Sequence, residues 1–102
     1  MRLIAWKRLE QLGDEYPDAR GWLVAWGAAV LAAEWDSLDE VRQVYPHADE
    51  VVVKSGRPVT IFNARGNRYR LIVAIHHNTG CVYAMRFMPH AEYSKDRWKG
   101  TL

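Results

Sequence analysis

The chain has 102 residues, 49% apolar and 25% charged, enough for one modest core and a single domain over residues 1–102 but too few for two. Its one cysteine, Cys81, excludes an intramolecular disulfide and a cysteine-based zinc framework. The longest apolar run, Trp22 to Ala33, is too short to cross a bilayer, and Met1-Arg2-Leu3 leads into charged residues rather than a signal peptide, so the expected location is the cytoplasm, with no membrane partner.

The first half reads as helical. Residues 4–15 place Ile4, Ala5, Leu9 and Leu12 on one side, with Lys7, Glu10, Gln11 and Asp14 outside. Residues 2–6 also fit a short edge strand. Tyr16-Pro17 ends this element, because a residue before proline avoids the helical region. Residues 19–35 carry Trp22, Trp26, Ala29, Val30 and Ala33 at helical spacing, a stripe that predicts core packing, and the small Gly27, Ala28 and Ala32 suit close approach to a sheet. Ser37-Leu38-Asp39-Glu40 has the form of a capping box. It opens a third short helix with Leu38, Val41, Val44 and Tyr45 inward, stopped by Pro46.

From residue 50 the apolar period changes to that of strands. Val51–Lys54, Val59–Phe62, Tyr69–His77 and Cys81–Met88 are four candidates. The links Ser55-Gly56-Arg57, Arg65-Gly66-Asn67 and Asn78-Thr79-Gly80 have turn chemistry and are short, which forces antiparallel neighbours. Pro89 ends the last strand, and residues 90–99 predict a short final helix. The fold class is therefore α+β, with N-terminal helices packed on a small antiparallel sheet and a short C-terminal helix.

Charge is polarised along the chain. Residues 1–50 hold five basic against ten acidic residues, a net of −5; residues 51–102 hold nine against two, a net of +7. A positive face suits a polyanion, although the two halves could also neutralise each other across their contact. Alternation on the third strand puts Arg68, Arg70, Ile72, Ala74 and His76 on one face and the more apolar Tyr69, Leu71, Val73, Ile75 and His77 on the other. If Asn78-Thr79-Gly80 is a three-residue hairpin loop, His77 faces Cys81 and Ile72 faces Arg86. Arg68, Arg70 and Arg86 then share one side, with His90 past its end. A two-residue loop would break that grouping.

Guanidinium groups offer planar paired donors for phosphate. Cleaving RNA without a metal needs a base for the 2′-hydroxyl, a cation for the phosphorane and an acid for the leaving oxygen. His90 is suited to moving a proton near neutral pH, and Tyr93, three residues on, to orienting the hydroxyl, stacking on a base, or giving a proton if nearby cations lower its pKa. Lys54, Arg57 and Arg65 lie in or near turns, as general backbone contacts. His76 and His77 point opposite ways, His47 sits in a turn, and no metal site or cofactor is expected.

Two stretches, Phe62-Asn63-Ala64-Arg65-Gly66-Asn67-Arg68-Tyr69-Arg70-Leu71-Ile72 and His90-Ala91-Glu92-Tyr93, resemble the HigB ("host inhibition of growth") family of RelE-like messenger-RNA interferase toxins; the likeness extends over roughly Trp22 to Lys99, through Trp26, Glu34-Trp35 and Val44-Tyr45-Pro46. The family pattern falls on Asn67, Arg70, His90 and Tyr93 and departs at Pro89 and Ser94, where threonine and aspartate are usual. The resemblance implies a type II toxin that cleaves messenger RNA on the ribosome by 2′-hydroxyl attack without metal. It also implies a HigA-type helix-turn-helix antitoxin, through which alone operator DNA would be bound. On that reading Arg70, Arg86, His90 and Tyr93 are catalytic candidates. Lys54, Arg57, Arg65, Asn67, Arg68, Lys95 and Lys99 are RNA-binding candidates, the lysines and turn arginines toward ribosomal RNA. Two other readings remain at this point: a catalytically degenerate module that binds RNA or antitoxin without cutting, and a small domain whose basic face docks an acidic protein.

Overall fold

The change of apolar period near residue 50 separates a helical layer from a sheet. In the computed structural model, which describes residues 1–102, the helices are α1 (Lys7–Glu15), α2 (Arg20–Ala32), α3 (Leu38–Val44) and α4 (His90–Tyr93), with 3-10 turns at Pro17–Ala19 and Arg97–Thr101. The strands are β1 (Arg2–Ile4), β2 (Asp49–Val52), β3 (Pro58–Ala64), β4 (Tyr69–His76) and β5 (Cys81–Pro89), ordered β1-β5-β4-β3-β2. Strands β2 to β5 form the antiparallel meander, and β1 adds a parallel edge beside β5. The α+β class, the N-terminal helices and the short C-terminal helix agree with the sequence reading.

Several local expectations change. Arg2–Ile4 is the edge strand and the first helix begins only at Lys7, because Ala5 turns the chain through a left-handed conformation at φ 55°. The final helix ends at Tyr93: Asp96 takes φ 60°, which breaks the helical path and sends a 3-10 turn back over the sheet. In α3, Ser37 Oγ accepts the Glu40 amide at 3.4 Å, and the Glu40 carboxylate accepts the Asp36 amide at 3.3 Å. Val41 is buried, whereas Val44, expected inward, is 56% exposed at the point where the helix unwinds toward Pro46.

The sheet is covered on both faces. On the helix side Leu12, Leu23, Trp26, Val30, Phe62, Leu71, Val73 and Val82 belong to one buried cluster. Phe62 is its hub, with ring centroids 5.5 Å from Trp26, 5.2 Å from Tyr45 and 6.4 Å from Trp35. Gly27 lets α1 approach α2, since a Cβ there would lie 3.2 Å from Leu9 Cδ1. Helix α2 is apolar nearly all round: Val24 and Leu31 point outward and, with Trp6, border a groove of about 510 Å³ between α1 and α2. On the opposite face Val53, Val59, Ile61, Ile72 and Met88 pack under Trp98 from the C-terminal turn.

The β4–β5 register sets which side chains share that second face. The hairpin loop has four residues, His77 to Gly80, so His76 rather than His77 faces Cys81. One residue of slip would have turned Arg86 away, but a bulge opposite Ile72/Val73 restores the parity, and Ile72 faces Arg86. Two errors in the expected register cancel.

Replacing Phe62 by alanine should lower the unfolding free energy by about 3–5 kcal/mol, since it empties the centre of the aromatic cluster. Urea unfolding of the variant measures it; a loss below about 1 kcal/mol would contradict this packing.

Candidate functional site

Strand β4 leaves the β3–β4 turn at Tyr69 and places consecutive side chains on opposite sides of the sheet. Tyr69 goes to the helix layer, where its ring stacks 5.0 Å from Phe87. Arg70 goes to the other face and is only 9% exposed. Its guanidinium donates to the Tyr69 carbonyl at 3.1 Å and to Asn67 Oδ1 at 3.3 Å, and its Cζ lies 5.6 Å from the centroid of the Tyr93 ring. All of these neighbours are neutral. None of the six ion pairs in the molecule includes Arg70. A buried cation without a carboxylate is costly, and the cost falls when an anion arrives.

Helix α4 is tied to the start of β4 because the His90 amide donates to the Arg68 carbonyl at 2.9 Å. The His90 carbonyl accepts both the amide and the hydroxyl of Ser94, each at 2.9 Å, and the His90 side chain is exposed. One turn on, Tyr93 is half-buried between Arg70 and Trp98; the Tyr93 and Trp98 rings are stacked at 5.2 Å and 17°. Burial raises the Tyr93 pKa above the ordinary tyrosine value of 10.0. Lys99 and Arg70 pull it downward without overcoming burial, so the cations do not make this phenol an easy proton source. At neutral pH it is a hydrogen-bond donor.

The other candidates divide into two groups. Arg86 lies on the Arg70 face, opposite Ile72, with its Nη2 3.4 Å from Thr101 Oγ1 and no acidic partner. Lys99 sits over the Trp98 ring at 5.7 Å and pairs with Asp96 at 3.2 Å. Lys54 donates its amide to the Lys99 carbonyl, which joins the β2–β3 hairpin to the C-terminal turn. Arg57 is exposed and bonds Ser55 Oγ at 3.4 Å, and Lys95 pairs with Glu92 at 3.7 Å.

Arg65 and Arg68 are not brought to the Arg70 face. Residues 65–68 are turn rather than strand, so alternation does not extend to them. Arg65 donates to the Asp18 carbonyl at 2.7 Å, and Arg68 pairs with the Asp18 carboxylate at 3.4 Å. The Tyr69 hydroxyl reaches both Asp18 oxygens at 2.9 Å, and this bond raises its pKa. Asp18 thus takes up charge that the sequence reading assigned to the Arg70 face. Nothing local in Tyr16-Pro17-Asp18 signals that role. Trp98 was also missed; a lone tryptophan in an otherwise polar tail was its signal. Side chains of His, Cys, Asp and Glu nowhere gather in threes at a spacing that could hold a metal ion.

The family model described as "HigB_toxin, RelE-like toxic component of a toxin-antitoxin system" matches residues 19–96. The chain belongs to the HigB toxin family. Curated relatives include the "mRNA interferase toxin HigB" of Escherichia coli (strain K12) and proteins called "mRNA interferase HigB" in Escherichia coli O157:H7 and Shigella flexneri. Each is 27% identical over 93 residues, covering 91% of this chain and 88% of the relative. The span matched to the HigB toxin family contains Asn67, Arg70, Arg86, His90 and Tyr93, whereas β1, α1, Trp98 and Lys99 lie outside it. No helix is long and apolar enough to cross a membrane.

A difference titration of the wild-type chain against Tyr93→Phe, following tyrosinate absorbance, should show Tyr93 ionising above the ordinary value of 10.0. Because the folded-state pKa is raised, as it also is for Tyr16 and Tyr45, this stability is fully present below about pH 10 and is lost as the pH climbs beyond it. Ionisation of Tyr93 at or below the ordinary value would contradict the buried stack.

Proposed function

We propose that this protein is the toxin of a type II toxin–antitoxin pair, acting in the cytoplasm as an endoribonuclease on messenger RNA bound to the ribosome. The observation that carries the reading is Arg70: a buried guanidinium with only neutral neighbours, beside a phenol and next to the helix that bears His90. Membership of a toxin family and the names of the curated relatives supply the reaction class. The whole chain acts as one domain. Its partners are a HigA-type helix-turn-helix antitoxin, messenger RNA and ribosomal RNA, with operator DNA reached only through the antitoxin.

In this reading the 2′-oxygen bonds to phosphorus, the bond to the 5′-oxygen breaks, and the products are a 2′,3′-cyclic phosphate and a 5′-hydroxyl. One proton leaves the 2′-hydroxyl and one reaches the departing oxygen. Arg70, with Arg86 on the same face, stabilises the charge of the phosphorane. His90, exposed on α4, exchanges the proton. Tyr93, neutral at that pH, donates a hydrogen bond or stacks on the target nucleotide. Asn67 serves first to hold Arg70 and touches RNA from that position. Lys54, Arg57, Lys95 and Lys99 meet the ribosomal RNA backbone. Arg65 and Arg68 join them by leaving Asp18, a small cost for an exposed pair.

Induction of the wild-type gene should arrest growth, and purified toxin should cut messenger RNA on translating ribosomes to leave 5′-hydroxyl ends. Arg70→Ala should lower the cleavage rate by about 10²–10³-fold with the fold intact, and His90→Ala should also reduce it. Unchanged toxicity in both variants would overturn the site. Equal cutting of naked RNA would remove the ribosome from the account. Retained RNA or antitoxin binding by a wild-type chain that never cuts would favour the degenerate reading.

A further inference from the structure

The Arg70 site is closed from behind by a segment outside the family match. After α4, the Tyr93 carbonyl accepts two hydrogen bonds, from the Asp96 amide at 3.1 Å and from Trp98 Nε1 at 3.0 Å. Asp96 in its left-handed conformation reverses the chain, and the Asp96 carbonyl accepts the Lys99 amide at 3.1 Å. These bonds lay the Trp98 ring flat on the Tyr93 ring. The result is a stacked pair of rings with a cation against each: the Tyr93 and Trp98 centroids are 5.2 Å apart, the Arg70 guanidinium lies 5.6 Å from the Tyr93 centroid and the Lys99 ammonium 5.7 Å from that of Trp98. Trp98 is 5% exposed and rests on Val53, Val59, Ile61, Ile72 and Met88, so the stack is seated on the sheet.

We propose that Trp98 is a positioning residue of this site: its ring fixes the plane of Tyr93, and Tyr93 in turn fixes the guanidinium of Arg70 toward the phosphate. The inference rests on the reading above that Arg70 binds a scissile phosphate. Arg70 is otherwise held by two neutral acceptors, the Tyr69 carbonyl and Asn67 Oδ1, and the phenol ring limits its remaining freedom. Tyr93 has no other ring partner than Trp98. An aliphatic side chain in place of Trp98 would fill part of the volume but define no plane. The raised Tyr93 pKa accords with this cover.

The test compares Trp98→Phe, which keeps a ring, with Trp98→Leu, which keeps apolar bulk alone. Trp98→Phe should cleave within a few-fold of wild type. Trp98→Leu should lose about 10²-fold in kcat, the size expected from a small misplacement, with KM little changed. The Tyr93 ionisation should move down toward the ordinary value in Trp98→Leu and stay raised in Trp98→Phe. Equal kcat and equal Tyr93 titration in the two variants would reduce Trp98 to a core residue. The Arg70 Nε–H resonance gives a readout independent of cleavage: it should stay sharp in Trp98→Phe and broaden in Trp98→Leu. If the wild-type chain does not cleave, the catalytic reading fails, while the resonance and the titration still decide the positioning role. Should Trp98→Leu not fold, the wild-type protein itself carries the test. A stacked Tyr93 ring should flip slowly and show separate resonances for its two edges, and fast averaging would overturn the proposal.

Discussion

A guanidinium charge sits inside this protein without a carboxylate to answer it. Arg70 is held by a backbone carbonyl, a side-chain amide oxygen and the face of a phenol, which take two of its five N–H donors and offer electron density but leave the charge unneutralised. Removing a cation from water is expensive, and a chain that merely needed to fold would place an apolar residue or an ion pair there. That unpaired charge therefore lies on the sheet face that the N-terminal helices leave uncovered. Twelve acidic residues are present in the chain, and none reaches Arg70.

The rest of the architecture keeps that arrangement in place. Helices α1, α2 and α3 cover one face of the sheet and fix it through the Phe62 aromatic cluster. The 3-10 turn at Pro17–Ala19 presents Asp18, which gathers Arg65, Arg68 and Tyr69 at the end of the sheet and so anchors the β3–β4 turn. That turn carries Asn67 to Arg70 and offers the Arg68 carbonyl to α4. The opposite face is roofed by the C-terminal turn through Trp98. One acidic residue of the first half, Asp18, thus meets Arg65 and Arg68 of the second, while Arg70 and Arg86 are spared.

Much of this was legible in the residues. The period change near residue 50 gave the two layers, the capping box at Ser37 opened α3, and strict alternation sorted Arg70 from Leu71 and Val73. The pairing of Ile72 with Arg86 was reached through a three-residue loop, whereas the molecule uses a four-residue loop and a bulge; no local signal at Met85 marks the extra residue. Arg68 was misassigned because alternation holds only inside a strand, and residue 68 is still turn. The break after Tyr93 was hidden because Asp96 adopts a conformation that sequence pattern associates with glycine or asparagine. Burial of Tyr93 was likewise invisible, since it depends on Trp98 folding back from outside α4.

The central claim is that Arg70 is the seat of the scissile phosphate and that the arginines at Asp18, which reach only RNA backbone elsewhere, are not. The direct measurement is side-chain NMR of the arginine Nε–H groups while the intact protein is titrated with a short RNA whose 2′-hydroxyls are methylated to block cleavage. The account predicts a saturable shift of the Arg70 resonance, accompanied by Arg86, with smaller changes at Arg65 and Arg68. An unmoved Arg70 resonance at saturation, with the large shifts at Arg65 and Arg68 instead, would contradict it.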